Sequence, residues 1–406
     1  MHILIIHQAF AGLDEAGGTR HYELAQYLYD QGHKITIIAS PVSYLSGKTA
    51  NKNSKFIDTQ IINDGIKILR VYTYPALHKS FVHRVFSFFS FMMSSLIAGI
   101  GIKNVDVVWG TSPPIFQGAS AWLLSKLKKA KFLFEVRDLW PAFAIAVGVL
   151  KNHFLINASL WLERFLYTHA DQIMVNSPGY INHVMQKGAK NVELIPNGAD
   201  PDMFTSDAGS ISIREQYNLT DKFIVLYAGA HGMSNDLEVI LEAADITRKD
   251  ERVQYVFVGD GKEKQNLIEF AESKNLSNVL FLPPFPKIDM PAVINEADIC
   301  VAILKPIELY KTTYPNKVFD YMVSSRPVLL AIDGVIREVV EKADAGKFVE
   351  PGNPKAMANM IISLANDDKS LITMGKNGQL FIKKYYNRKI IARKLNTLLE
   401  KLEGTK

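Results

Sequence analysis

The sequence predicts an α/β protein made of two parallel-sheet halves, and three observations predict it. The chain has 406 residues, two to three times a typical domain, so it can bury two cores. Short apolar runs recur with amphipathic segments between them, the pattern of buried parallel strands alternating with helices. That pattern breaks at the turn-forming string Pro196-Asn197-Gly198-Ala199-Asp200-Pro201 and then starts again.

In the first half, strands are expected at Ile3 to Ile6, Lys34 to Ala39, Val105 to Trp109, Phe132 to Val136, Ile173 to Val175 and Val192 to Ile195. The second half repeats the scheme at Phe223 to Ala228, Val253 to Val258, Val279 to Leu282, Ile299 to Ile303, Val328 to Ala331 and Lys347 to Val349. The domains are therefore placed at 1–196 and 197–386, with the polar stretch Thr205 to Thr220 just after the hinge. The last segment, about 387–406, alternates Ile390, Ile391, Leu395, Leu398, Leu399 and Leu402 with charges. Such an amphipathic helix must cover an apolar surface, and the first domain is a candidate for it.

With 48% hydrophobic and 21% charged residues, wholesale disorder, a collagen-like repeat and a polytopic membrane protein are excluded. The single cysteine, Cys300, lies in an apolar run and reads as packing. It leaves no internal disulfide and no multi-cysteine metal site, which suits a reducing cytosol. Residues 1–200 carry 19 Lys and Arg against 13 Asp and Glu, a balance of +6, and the remainder 27 against 28, a balance of −1. That modest basic bias suits an anionic surface or a phosphorylated ligand; nucleic-acid binding calls for denser basic runs with interleaved aromatics. The cluster Lys126, Lys128, Lys129 and Lys131 reads as a solvated helix end or as a lipid-phosphate contact. Met1 to His7 is too short an apolar run for a cleaved leader and is read as a first strand.

Val85 to Ile102 is 18 residues without a formal charge, which just reaches membrane-spanning length. A crossing there would put strands of one sheet on opposite sides of a bilayer. Two readings remain: a helix of the core, or one whose outer face dips into lipid with His83, Arg84 and Lys103 near headgroups. Ala142 to Leu150 is also apolar and would enlarge such a patch. On the second reading, Phe88→Asp with Phe91→Asp lowers vesicle binding, whereas a misfolded product favours the core.

No Gly-x-Gly-x-x-Gly follows the first strand, and neither Gly-x-x-x-x-Gly-Lys-Ser/Thr nor His-Glu-x-x-His occurs, so dinucleotide, P-loop and zinc-protease chemistries drop out. Asp200-Pro201-Asp202 lies in the hinge, and no metal is expected. What remains are loops at the C-terminal ends of strands, where open α/β sheets bind ligands. The first closes with Gly17-Gly18-Thr19-Arg20 before a helix, a place for an anion. The string Arg137-Asp138-Leu139-Trp140-Pro141 follows another strand and gathers a guanidinium, an acid and an aromatic. In the second half, Gly229-Ala230-His231-Gly232 lets a ligand approach the backbone. Thr313 to Met322 then opens a helix on Lys317, with Asp320 three residues on. Amides and a lysine suit a diphosphate, and a carboxylate suits the vicinal hydroxyls of ribose.

Over nearly its full length the chain resembles the retaining glycosyltransferases of family four, and most nearly the fucosamine-transferase subgroup of bacterial surface-polysaccharide assembly. The pieces that carry the resemblance come in family order: Gly17 to Arg20, Thr111 to Pro114, Phe134 to Pro141, Ile195 to Asp200, Val258 to Gly261, Pro315 to Met322 and Arg326 to Val328. The resemblance implies a GT-B fold, two Rossmann-like domains facing each other across a cleft, the second binding the donor. It implies transfer of a sugar from a nucleoside diphosphate to a hydroxyl, with retention, without a metal or other cofactor, and without a side-chain nucleophile. Carried over by position, Gly17, Gly18, Arg20, Asn197, Gly229, His231, Lys262, Lys317 and Asp320 belong to donor binding, and Arg137 and Asp138 face the reacting sugar. The implied donor is a UDP-sugar, with N-acetyl-L-fucosamine a candidate. The implied acceptor is a polyprenyl-diphosphate-linked saccharide of O-antigen or capsule synthesis, reached at an anionic membrane surface. The implied place is cytoplasmic, peripheral on the inner face of the cell membrane, and no nucleic-acid partner is expected. A sugar-nucleotide epimerase of the same fold and a non-catalytic nucleotide-sugar-binding protein are the alternatives. The sequence departs from the family in two loops. Where many members have two glutamates, it has Thr312 and Asp320, and where many have an arginine and a lysine after the first donor-domain strand, it reads Gly229 to Asp236. Arg137 stands where many have a catalytic histidine.

Overall fold

The computed structural model describes residues 1–43, 47, 55–63, 65–75, 80–204 and 212–404. The part of the polar stretch that runs from 205 to 211 lies outside the described residues. The chain divides into two compact units: Met1–Ala11 with Gly17–Pro196 and Ile391–Lys406, and Gly12–Ala16 with Asn197–Ile390.

In the first unit the strands are β1 (His2–Ile6), β2 (Lys34–Ala39), β3 (Ile57–Ile62), β4 (Ile66–Val71), β5 (Val107–Ser112), β6 (Lys131–Val136), β7 (Gln172–Val175) and β8 (Val192–Leu194). They form one sheet in the order β3-β4-β2-β1-β5-β6-β7-β8. Every pairing is parallel except that of β3 with β4. This hairpin is absent from the sequence reading because β3 is a largely exposed edge strand carrying Asp58, Thr59 and Gln60 in place of an apolar run. The strand expected at Val105 to Trp109 sits at Val107–Ser112, since Gly110, Thr111 and Ser112 continue it fully buried.

The helices of this unit are α1 (Arg20–Asp30), α2 (Phe81–Ile100), α3 (Phe116–Lys128), α4 (Ala142–Ala146), α5 (His153–His169) and α6 (Ile181–Gln186). From β4 to β8 the chain advances across the sheet in one direction, so right-handed crossovers put α2, α3, α5 and α6 on one face. The return from β1 to β2 puts α1 on the other, where Leu24, Ala25 and Leu28 share a core with Ile391, Leu395, Leu399 and Leu402 of the C-terminal segment.

The uncharged stretch forms α2, which buries one face in the core and leaves apolar side chains exposed on the other. Ser80 caps the helix by accepting the His83 N–H. Ser87, Phe88, Phe91, Ser94, Ser95 and Ala98 are buried, while Val82, Phe86, Phe89, Met93, Ile97 and Ile100 are exposed. Phe88 and Phe91 therefore belong to the core, and the paired substitution expected to probe lipid contact would instead damage packing. Gly99 brings α2 close to α3, for a β-carbon there would run into the side chain of Leu124.

The second unit holds β9 (Phe223–Ala228), β10 (Val253–Val258), β11 (Val279–Leu282), β12 (Ile299–Ile303), β13 (Val328–Ala331) and β14 (Gly346–Phe348), all parallel, in the order β11-β10-β9-β12-β13-β14. Its helices are α7 (Ile213–Gln216), α8 (Glu238–Thr247), α9 (Lys264–Ser273), α10 (Met290–Asn295), α11 (Asn316–Val323), α12 (Val335–Ala343), α13 (Pro354–Leu364) and α14 (Asp368–Tyr385), and α15 (Arg388–Gly404) leads back to the first unit. Cores lie on both faces of the sheet. Cys300 is buried in β12, and burial pushes its thiol up, away from reactivity.

Candidate functional site

The loops that the sequence marks out fall into two clusters, one in each unit. In the first unit, His7 follows directly after β1, and its ring is buried beside Thr111 of β5. Its Nδ1 lies 2.9 Å from Thr111 Oγ1, and Arg137 Nη1 donates to its Nε2 at 3.3 Å. Accepting from a guanidinium requires an unprotonated Nε2. Burial, with the Arg137 charge beside it, holds the His7 pKa well below the usual range, in agreement with that geometry. Gln117 fastens the same corner: its amide donates to Thr111 O and Oγ1, and its carbonyl accepts the Gln8 N–H at 2.7 Å. Arg137 thus reaches its place through a fixed relay. Gly18 lies against it, since a β-carbon on Gly18 would stand 3.9 Å from Arg137 Nη2.

Beneath these groups Glu135 is fully buried and accepts from His21 Nε2 at 2.6 Å, Arg20 Nε at 3.0 Å and Trp109 Nε1 at 3.2 Å. Burial would raise its pKa, but the pull of His21 and Arg20 prevails and keeps it ionised. His21, pushed down to about 4 chiefly by burial, is a neutral donor there. Arg20 spends its other nitrogens on the carbonyls of Pro196 at 2.6 Å and Ile195 at 2.7 Å. This arginine, assigned from the sequence to donor binding, is an interior brace of α1, β6 and the end of the first unit. Asp138 lies next to Arg137, and burial lifts its carboxyl to about 7 against the pull of that guanidinium and of the Leu139 N–H.

In the second unit Gly229 follows β9, and Lys317 is the second residue of α11. The Lys317 ammonium sits 3.8 Å from the centre of the Tyr227 ring, and a β-carbon on Gly229 would stand 2.8 Å from its Nζ. Gly229, with φ near +147°, is the residue that leaves room for it. Among the described residues Lys317 Nζ is buried without a hydrogen-bond partner, and burial brings its pKa down to about 7. His231 is buried beside it with neither ring nitrogen hydrogen-bonded, and burial, then Lys264 and Lys317, lower its pKa to about 4. An unpaired ammonium and an unpaired imidazole stand together near a helix start and form a wall suited to an anion.

Asp320 faces elsewhere along α11. Its Oδ2 accepts Lys287 Nζ at 2.7 Å and Asn316 Nδ2 at 3.2 Å. Lys262 is exposed, whereas Lys264 holds the glycine loop by donating to Gly259 O and Leu282 O. Asn197 is buried and donates to Tyr314 O at 2.7 Å, a brace for the turn ahead of α11. Gly17 abuts Ala11. The structure therefore brings Gly18 together with Arg137 and Asp138, and Gly229 with His231 and Lys317. His7, Gln117 and Tyr227 join these clusters and Lys287 joins Asp320, although none of the four was assigned to the site from the sequence. The signal that could have found the first is its position at the end of β1; Lys287 follows a proline-rich run that gives no such hint. Among the described residues no three His, Cys, Asp or Glu side chains are grouped to hold a metal ion.

Comparison with known proteins adds to this geometry. Residues 16–198 match the family described as glycosyl transferase 4-like domain, and residues 210–381 match glycosyl transferases group 1. A protein of Escherichia coli that carries the name of a colanic acid biosynthesis glycosyl transferase, WcaI, is 26% identical over 293 residues, covering 70% of this chain and 72% of its own. Sucrose-phosphate synthase from Thermosynechococcus elongatus superposes over 100% of both chains with a TM-score of 0.78 and 19% identity. HepE of Anabaena, solved in complex with UDP and glucose, covers 99% of this chain and 100% of its own with a TM-score of 0.74 and 15% identity. The expected GT-B architecture of two parallel-sheet, Rossmann-like domains is the fold of this chain.

Proposed function

Since the chain belongs in both its halves to the glycosyltransferases, a 4-like domain followed by a group 1 domain, we propose that it transfers a sugar from a nucleoside diphosphate to a hydroxyl of a polysaccharide precursor. The observation that carries this reading is the buried, unpaired Lys317 at the start of α11, facing Gly229 and beside His231. A diphosphate is the ligand that such a wall compensates. UDP is the proposed nucleotide, with support from the UDP-bound neighbour, and UDP-N-acetyl-L-fucosamine is a candidate donor. The likeness to a colanic acid glycosyl transferase supports a place in bacterial surface-polysaccharide synthesis of the O-antigen or capsule kind, with a polyprenyl-diphosphate-linked saccharide as acceptor at the cytoplasmic face of the membrane.

In the proposed reaction the bond from the anomeric carbon to the diphosphate oxygen breaks while the acceptor oxygen bonds to that carbon on the same face. The departing diphosphate takes the acceptor proton, so configuration is retained and neither a metal nor a side-chain nucleophile is required. Lys317 and the first N–H groups of α11 stabilise the charge that builds on the leaving group. Arg137, fixed by His7, and Asp138 are assigned to the sugar, and Asp320, oriented by Lys287 and Asn316, to the ribose.

A thermal-shift panel of UDP, GDP, ADP and dTDP is the first test, because a ligand at 100 times its dissociation constant adds about 2.7 kcal/mol to the folded state. A selective shift with UDP supports the donor class, and the absence of any nucleotide shift rejects it. Turnover of a UDP-sugar that needs a lipid-linked acceptor separates transfer from epimerisation, and binding without turnover leaves a nucleotide-sugar-binding protein.

A further inference from the structure

We propose that the outward side of α2, α3 and α5 is a docking surface for an anionic lipid bilayer, with α2 lying in the plane of the membrane. On α2 the residues Phe86, Phe89, Met93, Ile97 and Ile100 recur every three or four positions and are 42% to 60% exposed, so they form one straight apolar stripe. The stripe continues onto the neighbouring helices at Leu127 of α3 and at Phe154 and Trp161 of α5, which are 60%, 78% and 66% exposed. Trp161 stacks on Phe165, which stacks in turn on His169, an amphipathic arrangement suited to the headgroup level. Exposed apolar side chains gathered on adjoining helices mark an interaction site.

The charges around it select the partner. Residues 81–169 contain nine Lys and Arg and four Asp and Glu. None of the four carboxylates is exposed: Glu135 and Glu163 are buried, Asp106 accepts the His2 N–H at 2.8 Å, and Asp138 is drawn in beside Arg137. The basic groups stay outside, with Lys103, Lys126, Lys129 and Lys151 exposed at the ends of the helices and Arg164 exposed within α5. An apolar stripe flanked by lysines without carboxylates fits acyl chains bordered by anionic headgroups. A second copy packed two-fold on the same face would set lysine against lysine. A span is excluded by the inner face of α2, where Ser94 donates to Tyr72 O at 2.6 Å and Phe91 is fully buried.

The surface is independent of the donor site, and its test needs no nucleotide. The full chain is floated with vesicles of phosphatidylcholine, with and without phosphatidylglycerol. Binding is expected on the anionic vesicles and should weaken with salt. Phe86→Glu with Met93→Glu, and separately Lys126→Glu with Lys129→Glu, should each lower it by at least about tenfold. Both pairs are surface changes and should melt as the wild type does, and Ile372→Glu, an exposed site in the other unit, should bind as the wild type does. Failure of the wild type to float, or variants that float unchanged, overturns the proposal. So does a concentration-dependent dimer that the Phe86/Met93 pair abolishes in a protein that ignores vesicles. A UDP-induced thermal shift that persists in any of these outcomes leaves the transferase reading standing.

Discussion

At the scale of single residues, the chemistry concentrates where polar groups are buried without full compensation. With its pKa lowered to about 7 by burial, Lys317 is partly neutral at physiological pH until an anion arrives. A bound diphosphate favours the charged form and raises that pKa, so UDP affinity should be highest below about pH 7 and fall as pH rises above it. Titration calorimetry at pH 6 to 9 checks this, and Lys317→Met should flatten the dependence. At pH 7, Lys317→Ala should weaken UDP binding by about 1.5 to 3 kcal/mol, the range for a charge-assisted contact, with folding intact. The pKa of Asp138 is shifted the other way, upwards. A carboxyl raised from 3.8 to about 7 holds its proton longer in the folded state, so its contribution to stability declines as pH rises from about 4 to about 7. Asp138→Asn should therefore gain on the wild type across that window, by about 1 to 3 kcal/mol, measured by urea unfolding at pH 5 and pH 8. Lysine and glycine at matching loop positions were legible because strand ends and helix starts can be read from pattern. The roles of Arg20 and His7 were not, since the partners that decide them, Ile195, Pro196 and Glu135 for the one and Arg137 for the other, are far away in sequence.

At the scale of elements, α2 shows what a composition without charge leaves undecided. Its 20 residues contain apolar groups all round, so the period that normally separates inside from outside is weak. Its serines are what the tertiary structure uses to mark the inner face: Ser87, Ser94 and Ser95 are buried, and Ser90 donates to Ser87 O and accepts the Tyr74 N–H. Phe91→Ala should accordingly cost about 3 to 5 kcal/mol of stability, while Phe86→Ala should stay within about 0.5 kcal/mol. Chemical denaturation of the two variants compares them directly. The buried strands could be read because parallel strands between helices are continuously apolar, as β1 and β12 are. The hairpin of β3 and β4 could not, because an edge strand with one solvated face has the composition of a loop.

At the scale of the whole molecule, the chain does not visit its units once each. Gly12–Ala16 belongs with the second unit, and Ile391–Lys406 belongs with the first. Glu15 O and Leu13 O accept the N–H groups of Lys287 and Ile288, and Leu395 and Leu399 fill the core under α1. A fragment of residues 1–196 should therefore be less stable than the same fragment joined through a flexible linker to residues 388–406. Differential scanning calorimetry of the two should show the longer one melting higher, and equal melting would deny α15 its part in that core. The sequence suggested this return of the last helix from its apolar face; it gave no sign of the short loop that serves the other unit, which has no periodicity to betray it.

This interleaving sets an order on synthesis. A ribosome delivers domains from the N-terminus and each ordinarily folds as it emerges, at about 5 to 20 residues per second. Here the second unit has all its residues once Ile390 is out, while the first must wait for Leu395, Leu399 and Leu402 before its sheet is covered. The half of the protein that is made first is the half that is finished last, and its open apolar face is where a nascent-chain chaperone would be needed.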